Sequence, residues 1–235
     1  MIVTILRSLM ILILVTGGVA RADMPAGSVY LDGGASQYAL ILAHGVGQSP
    51  TALVVDPLRH AVHAQLGWHT LSLSMPREEN WSQFGRVFPQ AFERIAQAID
   101  FLRRERGVRH IYLMGHSMGS RMSSAFLAGN PGQVVEGLVV AGIRHDGGSP
   151  MNGRENLARV TLPILDIWGE EDDRDRNYAA ERRDLVSPTY SQIAVPGANH
   201  SFESREDVFS AQVIEWLRRM SSEHMADLVG AVVQQ

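Results

Sequence analysis

The strongest constraint in this chain is a change of secondary structure compressed into five residues, Gly115-His116-Ser117-Met118-Gly119. Ahead of them runs His110-Ile111-Tyr112-Leu113-Met114, which is short, apolar and partly β-branched or aromatic, the composition of a buried strand. Behind them, residues 120–128 read as a helix that stops at Gly129-Asn130-Pro131. A strand that turns directly into a helix leaves little room at the corner. Backbones crowd there, and the flanking glycines supply two positions without a Cβ. The serine sits at the apex.

The rest of the chain repeats the alternation of strand and helix. Apolar strands are expected over residues 28–31, 38–43, 68–74, 134–141, 163–168 and 190–195. Helices are expected over 51–66, where Pro57 kinks the helix or delays its start, and over 86–106, 177–185 and 206–220. In 86–106, Phe88, Phe92, Ile95, Ile99 and Leu102 recur at helical spacing, and Gly107 ends the run. Such alternation predicts an α/β fold with a doubly wound, mostly parallel sheet covered on both faces. Before residue 38 there is room for one short leading strand. The roughly twenty residues between Ala141 and Pro163 suffice for a loop and a turn or two of helix, so only a minimal cap is expected.

The length of 235 residues suits one domain, here residues 23–220, with a tail over 221–235. Residues 1–22 stand apart. Arg7 is followed by an apolar run centred on Leu9-Met10-Ile11-Leu12-Ile13-Leu14-Val15, then by Ala20-Arg21-Ala22, a small-residue cleavage pattern before Asp23. This reads as a secretory signal peptide, which implies an exported protein, periplasmic or secreted, with no membrane span after cleavage. A net charge of −4 with scattered arginines gives no nucleic-acid surface. The chain has no cysteine, which removes disulfides, thiolate nucleophiles and cysteine metal sites. No metal-ligand spacing and no cofactor motif stands out.

A serine hydroxyl is a poor nucleophile at neutral pH unless a base takes its proton, a carboxylate orients the base and N–H groups meet the oxyanion. Each partner is expected at the carboxyl end of a strand, in the chain order serine, acid, histidine. His200, in the loop after strand 190–195, is the candidate base. Asp172 is the candidate acid, in Gly169-Glu170-Glu171-Asp172-Asp173 after strand 163–168, with Asp173 and Asp146 as alternatives; Asp166, inside that strand, reads as structural. The oxyanion donors are expected to be the N–H of Met118 and that of Val46, in the loop His44-Gly45-Val46-Gly47-Gln48. His44 and His116 read as packing residues. Trp81 and Phe84 are candidates for the acyl pocket or for packing on the adjacent helix, and Arg144 and His145 for solvated surface or contact with an anionic substrate.

The H-G loop, the G-H-S-M-G elbow, the G-x-x-D segment and the late Asn-His-Ser-Phe together resemble the α/β-hydrolase superfamily, over about residues 38–220. The resemblance implies the fold and the roles of Ser117, Asp172 and His200. It does not fix the reaction, because the fold hosts many; a small-molecule ester or acyl substrate is the expectation. Hydrolysis of an ester or thioester through an acyl-enzyme is the leading expectation. Acyl transfer, and a non-catalytic binding or scaffold role on the same fold, are the alternatives.

Overall fold

The computed structural model describes residues 21–233 apart from residues 131, 133 and 134. The expected leader lies, but for its last two residues, outside the described part, as does residue 134 at the start of an expected strand. Among the described residues the sheet has seven strands: β1 (Val29–Leu31), β2 (Tyr38–Ala43), β3 (His69–Leu73), β4 (His110–His116), β5 (Gly137–Ala141), β6 (Ile164–Gly169) and β7 (Tyr190–Val195). Their spatial order is β1-β3-β2-β4-β5-β6-β7. β1 pairs antiparallel with β3. Every other neighbouring pair is parallel. The sheet is thus doubly wound and mostly parallel, with one short leading strand, as the sequence predicts.

The helices are α1 (Val55–Leu66), α2 (Phe88–Arg106), α3 (Met118–Gly129), α4 (Gly153–Leu157), α5 (Asp173–Glu181) and α6 (Glu206–Val233). Period-two side-chain alternation divides each strand between two cores. Leu40, Leu42, Met114, Val139, Leu165 and Ile167 pack against Val55, Leu58 and Val62 of α1 and Phe209, Val213 and Leu217 of α6. On the opposite face Ile41, Leu71, Leu113 and Val140 meet Phe88, Ile95 and Leu102 of α2 and Met122 and Phe126 of α3. Because both faces are buried, β2 and β5 read as unbroken apolar runs rather than as alternating ones. Each such side chain, fully buried, contributes about 1.5–3 kcal/mol.

Three of the helix starts that differ from expectation do so for a clear local reason. α1 begins at Val55, so that Pro57 falls in the first turn, where its missing N–H costs no hydrogen bond. α2 begins at Phe88, with Pro89 at its second position, and a 3₁₀ helix, Trp81–Val87, precedes it. α5 begins at Asp173, not at 177, because Asp172 caps it by accepting the Asp175 N–H. At the other end of the chain α6 continues without a break from the expected domain into the expected tail. Between β5 and β6 the connection carries only the five-residue α4. No helix among the described residues is long and apolar enough to cross a membrane.

From β2 the chain moves outward to β3 on one side, then returns to place β4 on the other side. The connections after β2 and β4 therefore diverge, opening a crevice at the carboxyl ends of these two strands.

Candidate active site

Ser117 occupies that crevice. It follows β4 directly and precedes α3, with φ 53° and ψ −113°. A non-glycine residue with positive φ outside the ordinary left-handed well is strained, by about 1–3 kcal/mol, and persists only where its surroundings hold it. Here they do so closely. A Cβ on Gly115 would come within 2.4 Å of the Ser120 nitrogen, and one on Gly119 within 2.1 Å of the Ala43 carbonyl oxygen. The Ser117 N–H donates to the Ala141 carbonyl at 2.8 Å. The Ser120 hydroxyl, fully buried, donates to the Gly115 carbonyl at 2.6 Å and accepts the Ala141 N–H at 3.1 Å. Ser120 was not singled out in the sequence, where it reads as an ordinary first-turn residue.

His200, in the loop after β7, approaches the serine. Its Nε2 lies 3.0 Å from Ser117 Oγ. Its Nδ1 lies 2.6 Å from an Asp175 carboxylate oxygen. A carboxylate only accepts, so Nδ1 carries the proton and Nε2 is left with a lone pair facing the hydroxyl. The structure therefore brings Ser117 and His200 together as the sequence predicts, but corrects the acid. The carboxylate on the histidine is that of Asp175, which was not among the candidates. Asp172 instead caps α5, accepting the Asp175 N–H at 2.8 Å. Asp173, with a side chain 80% exposed, pairs with Arg176 on the surface. Asp146 pairs with Arg121 and Arg174. The missed signal is the spacing Asp172-Asp173-Arg174-Asp175, a cap followed three residues later by an acid, which starts the helix early and carries Asp175 into its first turn.

The Asp175 side chain is fully buried, and Arg144 donates from Nε to its second oxygen at 2.7 Å. Burial pushes this carboxyl up. The hydrogen bond and charge of His200, with those of Arg144, outweigh it and hold the carboxyl below the ordinary carboxylate range. Arg144 also reaches both oxygens of Asp172, at 3.3 Å each. Arg144 is thus an ion-paired residue of the site rather than a solvated surface group. Ligating atoms of Asp172, Asp175 and His200 all lie within 4.8 Å of one another. They do not fit a metal centre, because the guanidinium already pairs with both carboxylates and the Asp175 oxygens are occupied.

The two remaining histidines of the crevice are structural. His116 is buried, and its Nε2 donates to the His200 carbonyl at 3.0 Å. Burial, with the neighbouring His200, lowers its pKa to about 4, so it is neutral. His44 accepts the Met75 N–H at Nε2, at 3.0 Å, and donates from Nδ1 to the Gly45 carbonyl at 2.8 Å, and burial likewise lowers its pKa.

A cavity of about 340 Å³ opens above Ser117, with Val46, Met118 and Trp81 on its walls. Val46 is the first central residue of a turn closed from the Gln48 N–H to the Gly45 carbonyl at 3.3 Å, so its own N–H takes no part in that bond. Met118 is the first residue of α3, where an N–H has no helical partner. Arg121, Arg144, Asp146 and Arg174 complete the polar wall. Trp81 is 47% exposed and lies under the Arg121 guanidinium at 5.2 Å. Phe84 does not line the cavity. It is buried in the core beneath Trp81, with ring centroids 6.0 Å apart, because the 3₁₀ turn that lifts residue 81 to the surface directs residue 84 inward. Gly142 was also missed: a Cβ there would lie 2.9 Å from both the Asp175 Oδ2 and the His200 Nδ1.

A sheet wound in this way, with a serine on the corner between its central strand and the next helix, defines the class of α/β hydrolases. Residues 36–226, most of the chain, match the family model described as alpha/beta hydrolase domain, and the chain belongs to that family of hydrolases. No match is found among curated proteins. Solved structures show the same fold at low identity. The dienelactone hydrolase of Anabaena variabilis is 18% identical, with a TM-score of 0.69 over 85% of this chain and 95% of that one. Est1E of Butyrivibrio proteoclasticus, bound to ferulic acid, is 13% identical, with a TM-score of 0.70 over 86% and 99%. An a/b serine hydrolase without lid from Xanthomonas campestris is 15% identical, with a TM-score of 0.62 over 85% and 97%.

Proposed function

We propose that this protein is a serine hydrolase that cleaves small carboxylic esters or thioesters through an acyl-enzyme on Ser117. The observation that carries the reading is the continuous chain from Ser117 Oγ to His200 Nε2 at 3.0 Å and from His200 Nδ1 to Asp175 at 2.6 Å. In this reading Nε2 takes the hydroxyl proton as Oγ bonds to the substrate carbonyl carbon. The carbonyl oxygen becomes an oxyanion facing the N–H groups of Met118 and Val46. The imidazolium, held by Asp175, returns its proton to the departing alcohol or thiol as the C–O or C–S bond breaks. Water then attacks the acyl-enzyme by the same route, and Ser117 Oγ leaves with the proton.

The open cavity supports a small substrate, and Trp81 offers it an apolar wall. The leader expected over residues 1–22 supports export from the cytoplasm, and N-terminal sequencing of the mature protein is expected to begin at Asp23.

The test is turnover of short-chain p-nitrophenyl esters beside labelling by a fluorophosphonate probe. Ser117→Ala is expected to lower kcat by about 10⁶-fold and to abolish labelling. Turnover unchanged in that variant would sink the assignment. A wild-type protein that neither turns over nor labels would favour a binding role for the fold.

A further inference from the structure

Arg144 does more than neutralise charge. Its planar guanidinium spans two carboxylates of one helix start, donating from Nε to Asp175 at 2.7 Å and from Nη2 to both oxygens of Asp172 at 3.3 Å. Asp172 in turn accepts the N–H of Asp175 at 2.8 Å. The Asp175 carboxylate is therefore fixed on one side through its own backbone and on the other through an oxygen, which leaves only Oδ2 for His200. The residues before Arg144 are fixed as well. The Ile143 carbonyl accepts from Arg182 at 2.9 Å, and the Gly142 N–H donates to the Ile167 carbonyl at 2.9 Å. Arg144 is largely buried, with a side chain 18% exposed, and stands on the wall of the cavity.

We infer that Arg144 is a positioning residue for the proposed reaction: with Asp172 it locks Asp175 in the rotamer that orients His200. This rests on the serine-hydrolase reading above. An aspartate rotates freely about two bonds. Unbraced, a carboxylate displaced by an ångström no longer holds the imidazole on the hydroxyl, and such a displacement costs about 10²-fold in rate. A lysine cannot replace the arginine fully, because one ammonium does not present two N–H groups in a fixed fork.

The sign of the pH effect follows from the charges around the pair. Facing the His200–Asp175 pair are Arg144 from the loop after β5, Asp172 from the start of α5 and neutral His116 from the end of β4. Removing the Arg144 cation makes the pair easier to protonate, so the acidic limb of the pH profile moves upward.

The experiment compares wild type, Arg144→Met and Arg144→Lys by fluorophosphonate labelling rate and by p-nitrophenyl ester kinetics across pH. In Arg144→Met the expectation is a loss of about 10²-fold in kcat with KM little changed. The acidic limb moves upward and millimolar methylguanidinium restores part of the rate. In Arg144→Lys the limb stays in place and the rate falls about tenfold. Arg144→Met within twofold of wild type overturns the inference. If that variant does not fold, Arg144→Lys within twofold of wild type does so.

The low-field proton resonance of His200 Nδ1–H separates the two readings, because it needs no turnover. Loss of that resonance in Arg144→Met, or its weakening in Arg144→Lys, supports positioning even if the wild type proves inert. A resonance unchanged in both variants overturns the inference while leaving the proposed function standing.

Discussion

Two buried aspartates, one inside β6 and one in the first turn of α5, have opposite surroundings. Asp166, on β6, is fully buried and saturated. Arg182 holds it with Nε and Nη2 at 2.9 Å each, Tyr190 donates at 2.9 Å and Gln192 at 3.0 Å. None of these partners changes charge near neutral pH, and burial and the carboxylate together push the Tyr190 phenol up beyond reach of physiological titration. Asp175 has one oxygen fixed by Arg144 and gives the other to a histidine, a group able to take and release a proton. The same side chain thus serves as a closed ion pair in one place and as an open one in the other. The difference lies in a single partner.

That contrast can be broken by experiment. The largest effect is expected from Asp175→Asn. The amide cannot hold the imidazole in its productive tautomer, and kcat is expected to fall about 10⁴-fold with a small change in urea midpoint. Asp166→Asn should do the reverse. It leaves the Arg182 guanidinium buried without its counter-charge and should cost about 3–5 kcal/mol in urea unfolding, with labelling of the folded fraction retained. If Asp166→Asn slowed labelling as much as Asp175→Asn, the separation between the two sites would be wrong.

A smaller effect sharpens the comparison with a buried group that has no counter-ion. His116 takes a proton at its ordinary 6.5 when unfolded but only near 4 when folded. Between those values the unfolded state binds more protons, so stability falls as pH drops through that window and levels off below it, by about 3 kcal/mol in all. His116→Gln, whose amide can still donate to the His200 carbonyl, should lose this part of the pH dependence. Urea midpoints at pH 7 and pH 4.5 measure it.

Legibility in the sequence followed the range of the interaction. The bounds of β2 are plain because an apolar run of six residues between polar ones has no other use in a parallel sheet. Ser117 and His200 stand out in the sequence because each sits at a strand end whose place in the chain is dictated by topology. The acid was misread because two aspartates three residues apart compete for it, and a helix cap settles which one turns toward the histidine. That decision rests on one hydrogen bond, from the Asp175 N–H to Asp172. Arg144 was illegible for a related reason, since nothing local announces that an arginine after β5 will meet a helix start 28 residues later. Phe84 failed through a surface assignment shared with Trp81, which a 3₁₀ turn then divided.

The corner around Ser117 has a consequence for how such a protein can change over evolutionary time. The two glycines are pinned by main-chain atoms of Ser120 and Ala43, which no side-chain substitution elsewhere can move aside. Trp81 and Arg174, by contrast, stand on an exposed 3₁₀ turn and on the first turn of a short surface helix. Mutation can therefore sample new substrates at the rim one residue at a time, while the reacting centre is inherited whole or lost.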